Sequence, residues 1–385
     1  MPRLVTRRSV LAGVGVATLS GCVGGRRTDG AKDTSTTEST EEDGESTEEN
    51  GKSTDRSDTS GTGPPSTDER LPLPMEPSSL RDNAVSGGPP KDGIPSIDDP
   101  TFISADEASS GLDPGDPVFG LATEHEAKAY PQSILVLHEI CNDVVDDTPV
   151  SVTYCPLTGT AMGFKRGDTT FGVSGRLVNN NLIMYDRATE TWWPQVLATA
   201  IPGPWNEEPP NHSLQEFRVI WTTWNRWSST HPDTQVLSRE TGHARNYDRD
   251  PYGSYTPREG YYSPGSSPMF SAFSEDDRLQ PKTVVIGTRT TDGAAAFEKN
   301  TLRNAQLIEG SLGGTSVVAT YEPDLDTGYV YRNPDDKPFE YRDGQIVDRT
   351  GDTYAPEALP LERTLAFDAM WFAWSGFYPD TTLYA

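Results

Sequence analysis

Two stretches of this chain repeat each other at a constant offset of 167 residues (118 against 285), and this constrains the fold more than any other feature. VFGLATEHEAKAYPQSIL (118–135) faces VIGTRTTDGAAAFEKNTL (285–302), matching Gly120 with Gly287, Ala127 with Ala294 and Tyr130 with Phe297. The same offset carries SVTYCP (151–156) onto VATYEP (318–323), and Phe164-Lys165 onto Tyr331-Arg332. A second block closes each copy: WNRWSSTHPDT (224–234) aligns without gaps to WFAWSGFYPDT (371–381). Two ordered blocks of this kind read as an ancient duplication. Copy one spans about 118–237 and copy two about 285–384.

Within copy one, short β-prone runs at Val118–Leu121, Val150–Tyr154, Ala161–Lys165 and Thr169–Val173 are split by Gly, Asp and Pro turns. KRGDTT, between the last two, reads as a hairpin turn. Pro131 is placed to open a short helix through QSILVL. Trp221, Trp224 and Trp227 recur at a spacing of three, echoed by Trp371 and Trp374, and read as core packing on a helical face or turn. With 32 prolines and 35 glycines, the expectation is an α+β, β-rich domain over 95–385. It would be an internally duplicated, pseudo-two-fold pair built of short antiparallel strands with few helices.

The chain ahead of this domain has a different character. Residues 1–22 hold an arginine pair, Arg7-Arg8, then a short apolar stretch rich in Gly and Ala, then Leu19-Ser20-Gly21-Cys22. The stretch is too short to span a bilayer comfortably. The pair resembles a twin-arginine export signal and the last four residues a lipobox. These imply export, cleavage before Cys22 and a lipid on that cysteine, which makes the membrane a partner on its outer face. Residues 23–75 are Ser, Thr, Gly, Asp and Glu with few large apolar side chains, and read as a disordered acidic tether.

The net charge is −26. Residues 22–70 hold 13 acidic against 6 basic side chains, so most of the excess lies on the remainder. Acid spread over a folded surface is the halophilic pattern, in which carboxylates hold water and salt screens their repulsion. It argues against a nucleic-acid partner, because phosphate is repelled and no basic stripe with interleaved aromatics occurs. Asn211-His212-Ser213 is a lone glycosylation sequon.

AKAYPQSILVLHEICND, VTYCPLTGTAMGF, FGVSGRLVNNNLIMYDRATETWWPQ, YDRDPYGSY and WFAWSGFYPDT together resemble the family catalogued as domain of unknown function 3179, over roughly 95–385. The resemblance implies a secreted or membrane-anchored protein and supplies no activity. Two departures stand out. Where that family often reads Cys-Pro-Leu-Cys-Gly, this chain has Thr158 at the second thiol. Where it more often reads His-Glu-Ile-Val-Asn-Asp, this chain has Cys141.

Copy two keeps the Tyr and Pro around Cys155 but has Glu322 at the thiol, and Ala305 where copy one has His138. The frame therefore does not require a thiol or an imidazole there, which points His138 and Cys155 toward function. Three chemistries follow. Cys155, His138, Cys141 and Met184 offer the thiolate, imidazole and thioether that suit a soft transition metal such as copper, with Glu139 orienting the imidazole. Alternatively, Cys141 and Cys155 flank a hairpin with its turn at Asp146-Asp147-Thr148-Pro149, and a disulfide would make the protein a structural surface element. As a third possibility, Cys155 is the nucleophile of a thiol-dependent hydrolase or redox enzyme, with His138 as base, Glu139 or Asp143 behind it, and Gly159 and Thr160 in an oxyanion turn. The reading favoured across classes is a soft-metal or small-ligand binding module centred on His138 and Cys155.

Other motifs are weaker. FGVSGR lacks the glycine spacing that would make Ser174 a nucleophile elbow. DRDPYGSYTPRE places Asp248, Asp250, Gly253 and Glu259 at calcium-loop positions, but two prolines and Tyr252 mark it as a coincidence of acidic composition. Asp186-Arg187, echoed by Asp348-Arg349, reads as a structural ion pair.

Overall fold

The structure, a computed structural model, describes residues 62–385. Arg7, Arg8, Cys22 and most of the tether lie outside the described residues. What is described is β-rich: short, mostly antiparallel strands form several small sheets. Among the described residues the helices are at most seven residues long, and none is long and apolar enough to cross a membrane.

Two sheets recur in the two halves with one strand order. In the first half Ile220–Thr223, Pro117–Ala122, Ala127–Pro131 and Gln235–Leu237 lie side by side. In the second, Ala366–Met370, Val284–Thr290, Gly293–Glu298 and Thr382–Tyr384 do the same. The registers coincide: Val118 faces Pro131 as Val285 faces Glu298, and Gly120 faces Ile220 as Gly287 faces Phe367. The parallel closing strand repeats too, with Gln235 beside Lys128 and Thr382 beside Ala295. The second sheet pairs Ile140–Val145, Thr148–Cys155 and Thr160–Lys165, as Leu307–Leu312, Thr315–Glu322 and Thr327–Arg332 pair.

The shared glycines and tryptophans explain one another. A Cβ on Gly120 would lie 2.2 Å from the Trp227 ring, and one on Gly287 would lie 2.2 Å from the Trp374 ring. Each indole packs against its strand where no side chain intervenes, and each N–H donates at 2.9 Å to a threonine seven residues on, Thr234 or Thr381. Trp224, Trp227, Trp371 and Trp374 lie in the short helices Trp224–Thr230 and Trp371–Phe377 with buried indoles, whereas Trp221, expected with them, is half-buried on the strand Ile220–Thr223. The largest apolar cluster draws on both halves, holding Cys155, Met184 and Trp192 together with Val285, Trp371 and Trp374.

Three expectations change. KRGDTT does not close a hairpin: Thr160–Lys165 pairs with Thr148–Cys155 and Glu216–Phe217, whereas Phe171–Val178 belongs to another sheet beside Asn181–Asp186. The turn passes the chain between sheets. The tether ends earlier than composition suggests, because Ser66–Thr67 pairs with Ser213–Leu214 and Leu71, Leu73 and Met75 pack on the core. Ordered structure likewise begins before residue 95, with the helix Pro77–Asp82 and the strand Val85–Ser86. The helix opened by Pro131 is a single turn, Gln132–Leu135.

Gly120→Ala and Gly287→Ala should each lose about 1–3 kcal/mol in urea unfolding, because the added methyl meets an indole ring that has no room to retreat. Gly314→Ala, where nothing lies within 4 Å of the added carbon, should stay within about 0.5 kcal/mol of the parent.

Candidate functional site

The Asp146-Asp147 turn forms as expected, both residues lying in the left-handed region at φ 45° and 57°. The register it sets separates the two thiols. Cys141 faces Val152 and Cys155 faces Thr160, so Cys155 lies three residues beyond Cys141's partner, about 10 Å along the strand and on the opposite face. Cys141 packs with Val150, Val152 and Tyr154, while Cys155 packs with Ile140, Met162 and Met184. Both are free, buried thiols. The expected Cys141–Cys155 disulfide is thereby corrected.

His138 is also turned away. Its Nδ1 lies 2.7 Å from Pro95 O and its Nε2 2.7 Å from the Tyr247 hydroxyl. A carbonyl only accepts, so Nδ1 carries the proton and the Tyr247 hydroxyl donates to Nε2. Burial drives the imidazole down to about 4, outweighing the Pro95 bond, with His243 and Arg245 adding to the depression. A neutral ring with both nitrogens engaged is neither a free ligand nor a free base. The quartet Cys155, His138, Cys141 and Met184 therefore does not assemble around a soft metal, and among the described residues no group of three or more His, Cys, Asp or Glu is placed to hold one. The His138–Cys155 catalytic pair is corrected on the same geometry.

The side chain that does join Cys155 is Glu139. It ends the turn after Gln132–Leu135 with φ 60°, and its counterpart Gln306 has φ 65°. Two non-glycine residues in this costly region show that the frame imposes the kink. Glu139 is 7% exposed, and its carboxyl makes no hydrogen bond among the described residues. Burial alone pushes it up to about 8, so it is protonated at neutral pH. The Cys155 thiol is pushed up to about 11, first by burial and then by the nearby Glu139, while the Thr158 hydroxyl and the amides of Leu182 and Thr158 pull the other way. Its Sγ donates to Asn180 O at 3.6 Å. In the second half Glu322 holds the equivalent position and uses its carboxylate to accept the Asp324 and Leu325 amides. The same turn thus binds a carboxylate in one half and leaves a thiol in the other.

A tyrosine-rich segment packs beside the turn that follows Cys155. Strands Gly253–Tyr255 and Arg258–Gly260 form a hairpin. It is tied to the first half by Tyr154 and Tyr255 hydroxyls 3.1 Å apart, and by Tyr262 and Gln132, both donating to Asp250 at 2.9 and 2.8 Å. Tyr261 donates to Leu157 O at 2.8 Å, in the turn that follows Cys155. Burial raises the Tyr252 hydroxyl, and Glu139 and Cys155 raise it further. Behind Cys155, Thr158 takes the place of the second thiol and joins a buried polar network with Thr160, Asn181 and Gln195.

The weaker motifs resolve structurally. Asp248 bonds Arg239 and Asp250 bonds Gln132 and Tyr262, so the calcium-loop residues do not converge. Asp186 is not Arg187's partner: it accepts the Thr189 amide and the Trp193 indole, while Arg187 pairs with Asp98 at 2.8 Å. Ser174 is buried and donates to Ile183 O. Asn211 is exposed, but the sequon's Ser213 is buried in a strand. Glu139 as a centre in its own right and the role of the tyrosines escaped the sequence reading. The signal was present in the four tyrosines between 252 and 262 and in Glu139 standing opposite Gln306.

Fold and recess define a β-rich scaffold of two like halves with a buried acid–thiol pair in one of them. Residues 91–381 match the family model described as "Protein of unknown function (DUF3179)", and the chain belongs to that family. No curated protein and no solved structure matches it.

Two pH responses follow. Glu139 titrates at about 8 folded against 4.5 ordinarily, so its share of stability is complete below pH 4.5 and is lost as pH rises through 8. Unfolding of Glu139→Gln compared with the parent should show a difference growing by up to about 1.4 kcal/mol per pH unit across that window. His138 has the opposite sign: held near 4 against 6.5, its share is present above pH 6.5 and is lost as pH falls through 4. His138→Gln should flatten that acid limb in the same measurement.

Proposed function

We propose that this protein is an exported, lipid-tethered, small-ligand binding module whose recognition centre is the Glu139–Cys155 recess of its first half. The carrying observation is Glu139: a 7% exposed residue whose carboxyl makes no hydrogen bond to another described residue, is pushed up to about 8 by burial, and is near enough to raise the Cys155 thiol. Titratable groups shifted by burial cluster at functional sites, and a carboxyl without a protein partner is open to one from a ligand. A neutral acid donates, so the ligand class is a small uncharged molecule with an acceptor oxygen or nitrogen. His138 serves as a positioning residue, clamping the chain just before Glu139 to Pro95 and Tyr247. The identical registers of the two halves support an ancestral duplication in which the first half acquired the site. Export and lipid attachment rest on Arg7-Arg8 and on the sequence ending at Cys22.

Iodoacetamide, a small neutral amide, probes the recess. It should alkylate Cys155 in the native protein at alkaline pH while Cys141 stays unmodified, as read by peptide mass spectrometry. If neither thiol reacts before unfolding, the recess is closed and the reading fails. A thiol-dependent reaction is the second reading, favoured by the Leu182 and Thr158 amides that pull the Cys155 thiol down against its burial. It requires a step in alkylation rate near pH 8 that disappears in Glu139→Gln, whereas binding alone leaves only the rise toward 11.

A further inference from the structure

A cavity of about 820 Å³ opens between the two halves, the size of a small-molecule site. Trp221 and Thr222 of the first half line it, with Tyr255 and Arg258 of the tyrosine hairpin and Lys299 and Arg303 of the second half. Its acidic side chains are already engaged. Asp368 takes Lys299 and Asp326 takes Arg303, each at 2.7 Å, while Glu298 accepts the Thr301 amide. Arg278, also on the wall, pairs with Asp276 at 2.7 Å.

Arg258 is the cation left over. It donates Nη2 to Lys282 O at 2.9 Å, its Nε is buried without a partner, and no carboxylate pairs it among the described residues. A guanidinium stays charged even where burial lowers its pKa. Trp221 and Tyr255 meet edge to face at 5.0 Å and supply an apolar wall. A guanidinium without a carboxylate partner, beside aromatic surface, describes what is missing: an acceptor with negative charge on a flat apolar body. In a chain of net charge −26, whose surface turns anions away, such a pocket is selective by contrast.

We propose that this cavity binds a small organic anion, a carboxylate or phosphate monoester bearing a flat apolar group, with Arg258 as its counter-ion. The site is distinct from the Glu139–Cys155 recess, though Gly159, in the turn after Cys155, borders the cavity.

Calorimetric titration of the full chain with benzoate, phenyl phosphate and benzyl alcohol tests it. Saturable binding of either anion without the alcohol supports the proposal, and the stronger anion identifies the headgroup. Arg258→Gln should weaken that binding at least tenfold at an unchanged melting temperature, with Arg258→Lys recovering part of it. Should Arg258→Gln not fold, Arg258→Lys should still bind the anion severalfold more weakly than the parent. The proposal is overturned if no anion binds, if the alcohol binds equally well, or if folded Arg258→Gln, or in its place Arg258→Lys, binds as the parent does. Cys155 alkylation in the same variants should be unchanged, so failure here and failure of the recess are read separately.

Discussion

An indole resting on a glycine organises each half of this protein. The ring of Trp227 occupies the space over Gly120, and that of Trp374 the space over Gly287. Each contact fixes how closely a seven-residue helix approaches its sheet, and the threonine accepting the indole proton fixes how the chain leaves the helix. From there the closing strand has one place to go, parallel to Ala127–Pro131 or Gly293–Glu298. A dispersion contact over a whole ring face is worth many small attractions at once, and here it also sets register.

On that frame the two halves spend the same turn differently. Glu322 places a carboxylate on two amides and closes the turn. Cys155 puts a softer, neutral atom in the equivalent place, where it no longer competes for a negative charge with the neighbouring acid. Glu139 has no basic partner among the described residues, so it keeps its proton. The result is a small interior region held neutral inside a strongly acidic protein, with tyrosines beside it.

Much of this was legible in the chain. The repeated blocks, at offsets of 167 and 147, marked out the two halves, while the strand registers came only with the structure. The helical tryptophans were readable as core because they recur with glycines. The thiols were harder. Whether Cys141 and Cys155 meet depends on a ladder in which a shift of three residues changes both distance and face, and periodicity does not fix that shift. His138 looked like a partner for Cys155 by proximity in sequence, yet Pro95 and Tyr247, 43 and 109 residues away, claim its ring. Glu139 was invisible as a centre because burial is a property of the whole fold, and nothing in the residues around it in sequence shows it. KRGDTT misled because a tight turn looks the same whether it joins two strands of one sheet or hands the chain to another.

The ordered arm ahead of the domain carries a mechanical consequence. Ser66 and Thr67 add a two-residue ladder to Ser213–Leu214, and Leu71, Leu73 and Met75 are pressed into the interior behind it. Tension arriving along the preceding chain would therefore enter the first half at its Ser213–Leu214 strand. The arm sets the point at which a pull on the chain is borne, away from Cys155 and Glu139 in sequence.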